Sequence, residues 1–200
     1  MEQTKQYEYV DLGLPSGLKW AKCNVGAKKE TDYGYYFQWG DIVDKRKSNR
    51  GWKRYKHCKG TKETMTKYCR YLLHGTVTDK SILDPEDDAA TQIMGGDWRM
   101  PTIAEFGELL YNTTKEWIQV NGVNGYKFTS SNNGNSIFIP AAGACLDGSM
   151  YGVGEYGDVW SSSLNTSYPY NAWGLHFCAG KYDIDYYGRY YSLPVRGVMK

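Results

Sequence analysis

The spacing of apolar and polar positions marks two helical segments and a series of short strands. The first helical segment is Asp84 to Met94. Asp84 is placed to cap it, and Pro85 suits the first helical position. Glu86, Asp87 and Asp88 favour the positive end of the helix dipole, and Gly95-Gly96 stops the helix. Ala89, Ala90, Ile93 and Met94 supply its apolar face. The second segment is Thr102 to Asn112. Thr102 and Glu105 have capping-box spacing, and Ile103, Phe106, Leu109 and Leu110 share one side.

The strands are shorter and separated by turn residues. Tyr7 to Leu12 and Leu18 to Asn24 predict an opening hairpin with Pro15-Ser16-Gly17 as its turn. Tyr126 to Thr129 and Ser136 to Pro140 flank Asn132-Asn133-Gly134, a second hairpin signal. Val159 to Ser163 predicts a short strand and Ala172 to Ala179 a longer one. Leu193 to Val198 predicts a last strand that closes onto the N-terminal one. The expected fold class is α+β: one domain over residues 1–200, two helices beside small antiparallel sheets, with long irregular loops.

Composition adds an unusual feature. The chain of 200 residues has 19 Tyr and 7 Trp against 5 Phe. Tyr and Trp combine an apolar body with a polar tip, which suits surfaces that become buried on binding. A net charge of +2 gives no reason to expect a nucleic-acid partner. The one basic run is Lys45, Arg46, Lys47, Arg50, Lys53, Arg54, Lys56, Lys59 and Lys62. It reads first as a solvated loop, and alternatively as a patch for an acidic partner. No apolar run is long enough to span a membrane, and the polar Met1 to Tyr9 lacks the apolar core of a signal peptide. Cys23, Cys58, Cys69, Cys145 and Cys178 are odd in number and lack CxxC spacing, against a zinc site or disulfide framework. A Cys58–Cys69 pair stays open. His57, His74 and His176 are far apart and read as loop histidines. Trp98, Arg99 and Pro101 read as scaffold. No catalytic triad, phosphate-binding glycine loop or cofactor site is indicated.

Several strings occur together and in order. They are Tyr9-Val10-Asp11-Leu12-Gly13-Leu14-Pro15-Ser16-Gly17-Leu18-Lys19-Trp20-Ala21, Asn24-Val25-Gly26-Ala27, and Asp32-Tyr33-Gly34-Tyr35-Tyr36-Phe37-Gln38-Trp39-Gly40. Then follow Asp87-Asp88-Ala89-Ala90, Gly95-Gly96-Asp97-Trp98-Arg99-Met100-Pro101-Thr102, Ile137-Phe138-Ile139-Pro140-Ala141-Ala142-Gly143 and Trp160-Ser161-Ser162-Ser163. From about Tyr9 to Val198 the chain resembles the Fibrobacter succinogenes major paralogous domain family. The resemblance implies a C-type-lectin-like fold of the formylglycine-generating-enzyme branch. It also implies a setting among phage tail proteins or bacterial surface proteins. Trp160 to Ser167, followed by Ala172-Trp173-Gly174-Leu175-His176-Phe177, resembles the framework of variable proteins of diversity-generating retroelements, in which template adenines are randomised. The fold branch includes an oxidase with a reactive cysteine pair; only Cys145 and Cys178 stand in this chain's C-terminal part, and catalysis is not expected. The Glu-Pro-Asn and Trp-Asn-Asp triplets of calcium-dependent sugar-binding lectins are absent, so calcium is not the expected ligand-binding device.

In the segment of about 167–191, Trp173, Leu175, Phe177 and Ala179 alternate with Gly174, His176 and Cys178. The first set is expected to face the core and the second to face out. Gly, His and Cys share no chemistry, yet each is reachable from an Asn codon by changing adenines alone. Between Ser161 and Tyr191 only Trp173 and Lys181 fall outside that reachable set. The expected ligand-binding residues are Tyr168, Tyr170, Gly174, His176, Cys178, Tyr182, Asp183, Asp185, Tyr186, Tyr187, Tyr190 and Tyr191. They are expected to form one contiguous surface for a protein or glycan ligand, with Tyr for contact area and Asp for charge complementarity. The leading expectation is thus a hypervariable binder on a virion tail or cell surface. A fixed-ligand adhesin or carbohydrate-binding domain is the alternative, and a formylglycine-generating-type enzyme comes third.

Overall fold

The structure, a computed structural model, describes residues 7–47 and 51–200. The opening hairpin joins β1 (Tyr9–Asp11) to β2 (Lys19–Asn24). Its turn closes with the Gly17 amide donating to the Leu14 carbonyl at 2.8 Å, and Gly17 adopts φ of +71°, where a glycine costs nothing. Between β3 (Phe37–Gln38) and α1 (Ala89–Met94) the described residues are largely irregular, with three 3-10 turns among them, and α2 (Ile103–Asn112) follows. A meander of β4 (Thr113–Val120), β5 (Val123–Ser130) and β6 (Ser136–Pro140) follows. Next come β7 (Ala144–Leu146), β8 (Ser149–Tyr151), β9 (Tyr156–Leu164), β10 (Asn171–Cys178), β11 (Lys181–Gly188), β12 (Ser192–Leu193) and β13 (Arg196–Met199).

Among the described residues the strands form four small antiparallel sheets, ordered β1-β2-β13, β11-β10-β9, β3-β12-β7-β8 and β4-β5-β6. The last strand does pair with the N-terminal hairpin, Arg196 opposite Asn24. The expected single strand from Leu193 is broken at Pro194, which cannot donate to a ladder. Buried Arg196 holds this junction, donating to the carbonyls of Ala21 (2.8 Å) and Phe138 (2.9 Å) and to Asn24 Oδ1 (2.9 Å).

The expected first helix is shorter than its signal. Pro85–Asp87 is a 3-10 turn, and α1 begins after Asp88. Asp88 rather than Asp84 is the cap, accepting from the Thr91 amide at 2.9 Å and from the Met100 amide at 2.8 Å. Meeting both donors requires an extended Asp88 (φ −88°, ψ 112°), which interrupts the helix. The second helix has the expected capping box. Arg99 clamps Glu105 with two bonds of 2.8 and 2.6 Å, which makes it scaffold.

Two packed clusters meet across β9 and β10. Trp160 and Ala172 join one, with Phe37, Trp39, Tyr68 and Leu193. Val159, Leu175 and Phe177 join the other, with Trp20, Phe106, Tyr126 and Phe128. Neighbouring residues in these strands point to opposite faces, so the sheet is a partition between cores. The Trp160 indole donates to the Phe37 carbonyl and that of Trp39 to the Ser161 carbonyl, both at 2.8 Å.

Candidate functional site

The register of the C-terminal sheet decides which of the expected residues share a face. Gly174 lies opposite Asp185, His176 opposite Asp183, and Cys178 opposite Lys181; on the other side, His176 lies opposite Asp158 and Cys178 opposite Tyr156. The reverse face carries Trp173 opposite Tyr186, Leu175 opposite Ile184 and Phe177 opposite Tyr182. The expected binding residues are therefore divided between two faces and do not form one surface.

On the first face, buried Asp158 is the organising group. Its Oδ1 accepts from the Tyr187 hydroxyl and lies at the same distance, 2.7 Å, from His176 Nδ1. The bond to Asp158 holds His176 above its ordinary pKa, against the opposing effect of its burial. Burial, reinforced by Asp158, pushes the Tyr187 phenol strongly up, so it stays protonated and donating. The Tyr156 ring lies 6.0 Å from the His176 ring. Tyr187 faces Tyr191 at 6.4 Å, Tyr191 faces Tyr190 at 4.7 Å, and Tyr190 faces Trp52 at 4.7 Å. Asp183 and Asp185 are exposed; Cys178, Tyr187, Tyr190 and Tyr191 are half-buried.

Gly174 departs from its expected outward role. It is buried, and a Cβ placed on it would lie 2.7 Å from the Val159 carbonyl oxygen. Close approach of β9 removes the room for a side chain. Trp173 departs in the other direction. A register shift between Ala172 and Gly174 leaves it half-buried at the sheet margin, edge-on to Tyr186 at 5.3 Å. Ala179, also expected in the core, is exposed.

The reverse face ends in a second aromatic group. Tyr168 stacks on Tyr186 at 6.1 Å and lies 6.1 Å from half-buried Tyr170, which meets His74 at 5.2 Å. Exposed Tyr182 lies farther along the same face, against Tyr126 and beneath Lys115. Tyr168 is presented by a turn in which Asn165 Oδ1 accepts from the amides of Ser167 and Tyr168, both at 3.1 Å.

The strand register and side-chain bonds explain the Trp-Ser-Ser-Ser string. Ser161 donates to the Trp173 carbonyl (2.7 Å) and Ser162 to the Pro101 carbonyl (3.3 Å). The Ser163 hydroxyl accepts from the Ile103 amide at 3.1 Å. These hydroxyls pin β9 to β10 and to the start of α2.

Arg189 ties the site to the long irregular segment, and its part is invisible in the sequence. It is fully buried, donating to the carbonyls of Lys67 (3.1 Å), Tyr68 (3.0 Å) and Pro169 (2.9 Å) and to the Tyr55 hydroxyl (2.7 Å). Its guanidinium lies 4.8 Å from the Trp39 ring centroid. Asp158 and Trp52 were equally unmarked. A carboxylate beside an apolar strand was the one available signal for Asp158, since buried Asp is rare without partners.

The irregular segment is not simply solvated. Lys45 pairs with Asp41 (3.0 Å), Arg46 with Asp44 (2.7 Å) and Lys56 with Asp87 (2.5 Å). Lys47, Lys53, Arg54, Lys59 and Lys62 are exposed, and Arg50 lies outside the described residues. Asp84, Glu86 and Asp87 converge closely enough to suggest a metal site, but the Lys67 ammonium lies 2.6, 3.0 and 2.6 Å from them. A cation of the chain itself compensates these acids, a role beyond helix capping. His57 is buried rather than looped out, 3.0 Å from the Gly40 carbonyl and 3.4 Å from Asp87.

Cys58 and Cys69 do not form a disulfide; their thiols donate to the carbonyls of Trp52 and Tyr71, both at 3.2 Å. Cys145 is buried opposite Ser192 in the four-stranded sheet, and burial pushes its thiol pKa up, whereas Cys178 closes β10 in another sheet. A cavity of about 520 Å³ beside β2 is lined by Tyr7, Lys22, Cys23 and Lys28, with no residue of β9, β10 or β11. Among the described residues no helix is long and apolar enough to cross a membrane. No family model matches the chain, and no curated protein or solved structure matches it either.

Proposed function

We propose that this chain is a ligand-binding protein of the C-type-lectin-like type, whose β10–β11 hairpin and flanking turns display a surface diversified by a retroelement. One observation carries the reading. β11 is an edge strand whose Tyr182, Asp183, Asp185 and Tyr186 are exposed, while its partner β10 is anchored in the core through Leu175 and Phe177. Core packing does not demand those exposed side chains, so they are available for contact and open to exchange. The paired terminal strands, two helices and long pinned segment suit the implied fold. The ligand is a protein or glycan on a cell surface, and the setting is a phage tail or a bacterial surface.

A second reading is a domain of the same type with a fixed ligand. It is favoured by the Asp158 network, in which exchanging His176 or Tyr187 strips a donor from a buried carboxylate. Sequencing the gene with its flanks separates the two. The first requires a reverse-transcriptase gene and a repeat matching the codons of about 160–195, differing only at adenines; a locus with neither leaves the second. Replacing the exposed Tyr182 and Tyr186 together by Ala tests the surface itself. Loss of binding with a retained melting temperature supports it, and collapse of stability without a separate binding loss refutes it.

A further inference from the structure

The face organised by Asp158 has a sign of charge as well as a shape. Asp158, Asp183 and Asp185 lie on it, with Lys181 as the cation at its far margin. A chain of net charge +2 thus sets three carboxylates on the face that carries the half-buried rings of Tyr156 and Tyr187. Elsewhere the protein places its own cations on its tyrosines: Lys62 lies 5.3 Å from the Tyr170 ring centroid and Lys115 lies 4.9 Å from that of Tyr182. An electron-rich ring face bordered by carboxylates is a seat for a cation, because the ring quadrupole and the anions attract the same charge.

We infer that the Tyr156–His176–Tyr187–Tyr191 face binds a cationic protein segment, seating Arg or Lys side chains between the tyrosine rings and Asp185. This rests on the reading of the chain as a binder and names the chemistry of its partner. His176 gives the site a pH response with a definite sign. The groups around it are Tyr156 and Asp158 from β9, and Lys181, Asp183, Asp185 and Tyr187 from β11. Protonating His176 places a positive charge against Asp158 and partly cancels the attraction, so a cationic ligand binds more weakly in acid. A neutral glycan would bind with little pH dependence, and an acidic ligand with the opposite sign.

The test uses fluorescein-labelled octa-arginine and octa-glutamate peptides, titrated against the full chain by fluorescence anisotropy. Octa-arginine is expected to bind and octa-glutamate to bind far more weakly. Asp183→Asn together with Asp185→Asn is expected to weaken octa-arginine on the order of 10-fold, and Lys181→Gln to tighten it by roughly 3-fold. A gain of affinity cannot come from misfolding. Wild-type affinity should fall between pH 8.5 and pH 5.5, and His176→Asn, checked for an unchanged melting temperature, should flatten that fall. Absent octa-arginine binding, or binding indifferent to both charge variants, overturns the inference. Should that happen at a locus carrying the adenine-variant repeat, the binder reading stands and only the cationic partner falls.

Discussion

Replacing Arg189 by Met should cost about 4 kcal/mol of stability. The buried carbonyls of Tyr68 and Pro169 and the half-buried one of Lys67 lose their guanidinium donor, and the Tyr55 hydroxyl keeps only its bond to the Trp39 carbonyl. A buried polar group left unsatisfied costs roughly 1–3 kcal/mol. The neutral side chain no longer bears the desolvation of a charge, which offsets part of the sum. Met keeps some of the packing against Trp39 but not the cation–ring attraction. Because typical domains are stable by about 5–15 kcal/mol, the variant should still fold but melt early. Arg189→Lys should lose somewhat less, since an ammonium has three donors and no planar fork. Urea unfolding followed by tryptophan fluorescence measures both. The bonds of Arg189 also predict where the loss begins, because it joins the turn carrying Tyr168 to the long irregular segment. Limited proteolysis should cut first near 165–170. A loss below about 1 kcal/mol for Arg189→Met, with an unchanged cleavage pattern, would show that water replaces the guanidinium and would refute the assignment of Arg189 as the anchor of the site.

Three further expectations follow from single positions. Gly174→Ala should destabilise by roughly 1–3 kcal/mol, because its Cβ must displace the Val159 carbonyl, whereas Asp183→Ala should stay within about 0.5 kcal/mol; equal thermal shifts would show that β9 yields easily. Burial lowers the His57 pKa from 6.5 to about 4, so the unfolded chain takes up a proton that the folded one refuses. That contribution is complete above about pH 6.5 and is lost as pH falls toward 4. It amounts to on the order of 3 kcal/mol, and His57→Gln should flatten this part of a stability-versus-pH curve; an unaltered curve would assign the acid limb to other groups. Thr102→Ala removes the hydroxyl that accepts from the Glu105 amide and should cost about 1 kcal/mol by chemical denaturation; no loss would mean that the Arg99–Glu105 clamp suffices.

Local chemistry in the sequence accounts for much of the frame. The capping box of Thr102 and Glu105 marks the start of α2 because both partners lie three residues apart in the chain. Turn residues mark the two predicted hairpins for the same reason. Five strands have no clear signal in the sequence, the short β3, β7 and β8 and the long β4 and β11; the two long ones alternate weakly, since each is half-exposed and carries charged residues. Their pairing depends on neighbours rather than on their own pattern. Asp84 shows the limit for caps, since Asp88 accepts from the Thr91 amide and also from that of Met100, twelve residues beyond it.

The candidate site divides along the same line. The abundance of Tyr and Asp from Tyr168 to Tyr191, and the alternation that sends Leu175 and Phe177 inward, belong to the sequence alone. The tertiary structure decided which side chains stand together. Register put His176 and Tyr187 on one carboxylate and turned Tyr186 to the reverse face, because adjacent residues of a strand point apart. Close packing of β9 denied Gly174 a side chain, and a bulge moved Trp173 outward. Arg189 became the anchor only when groups from three separate stretches, at Tyr55, Lys67-Tyr68 and Pro169, converged on its donors. Pairing between strands and burial of a charge are properties of contacts across the chain, so residue type and spacing carry them only in part.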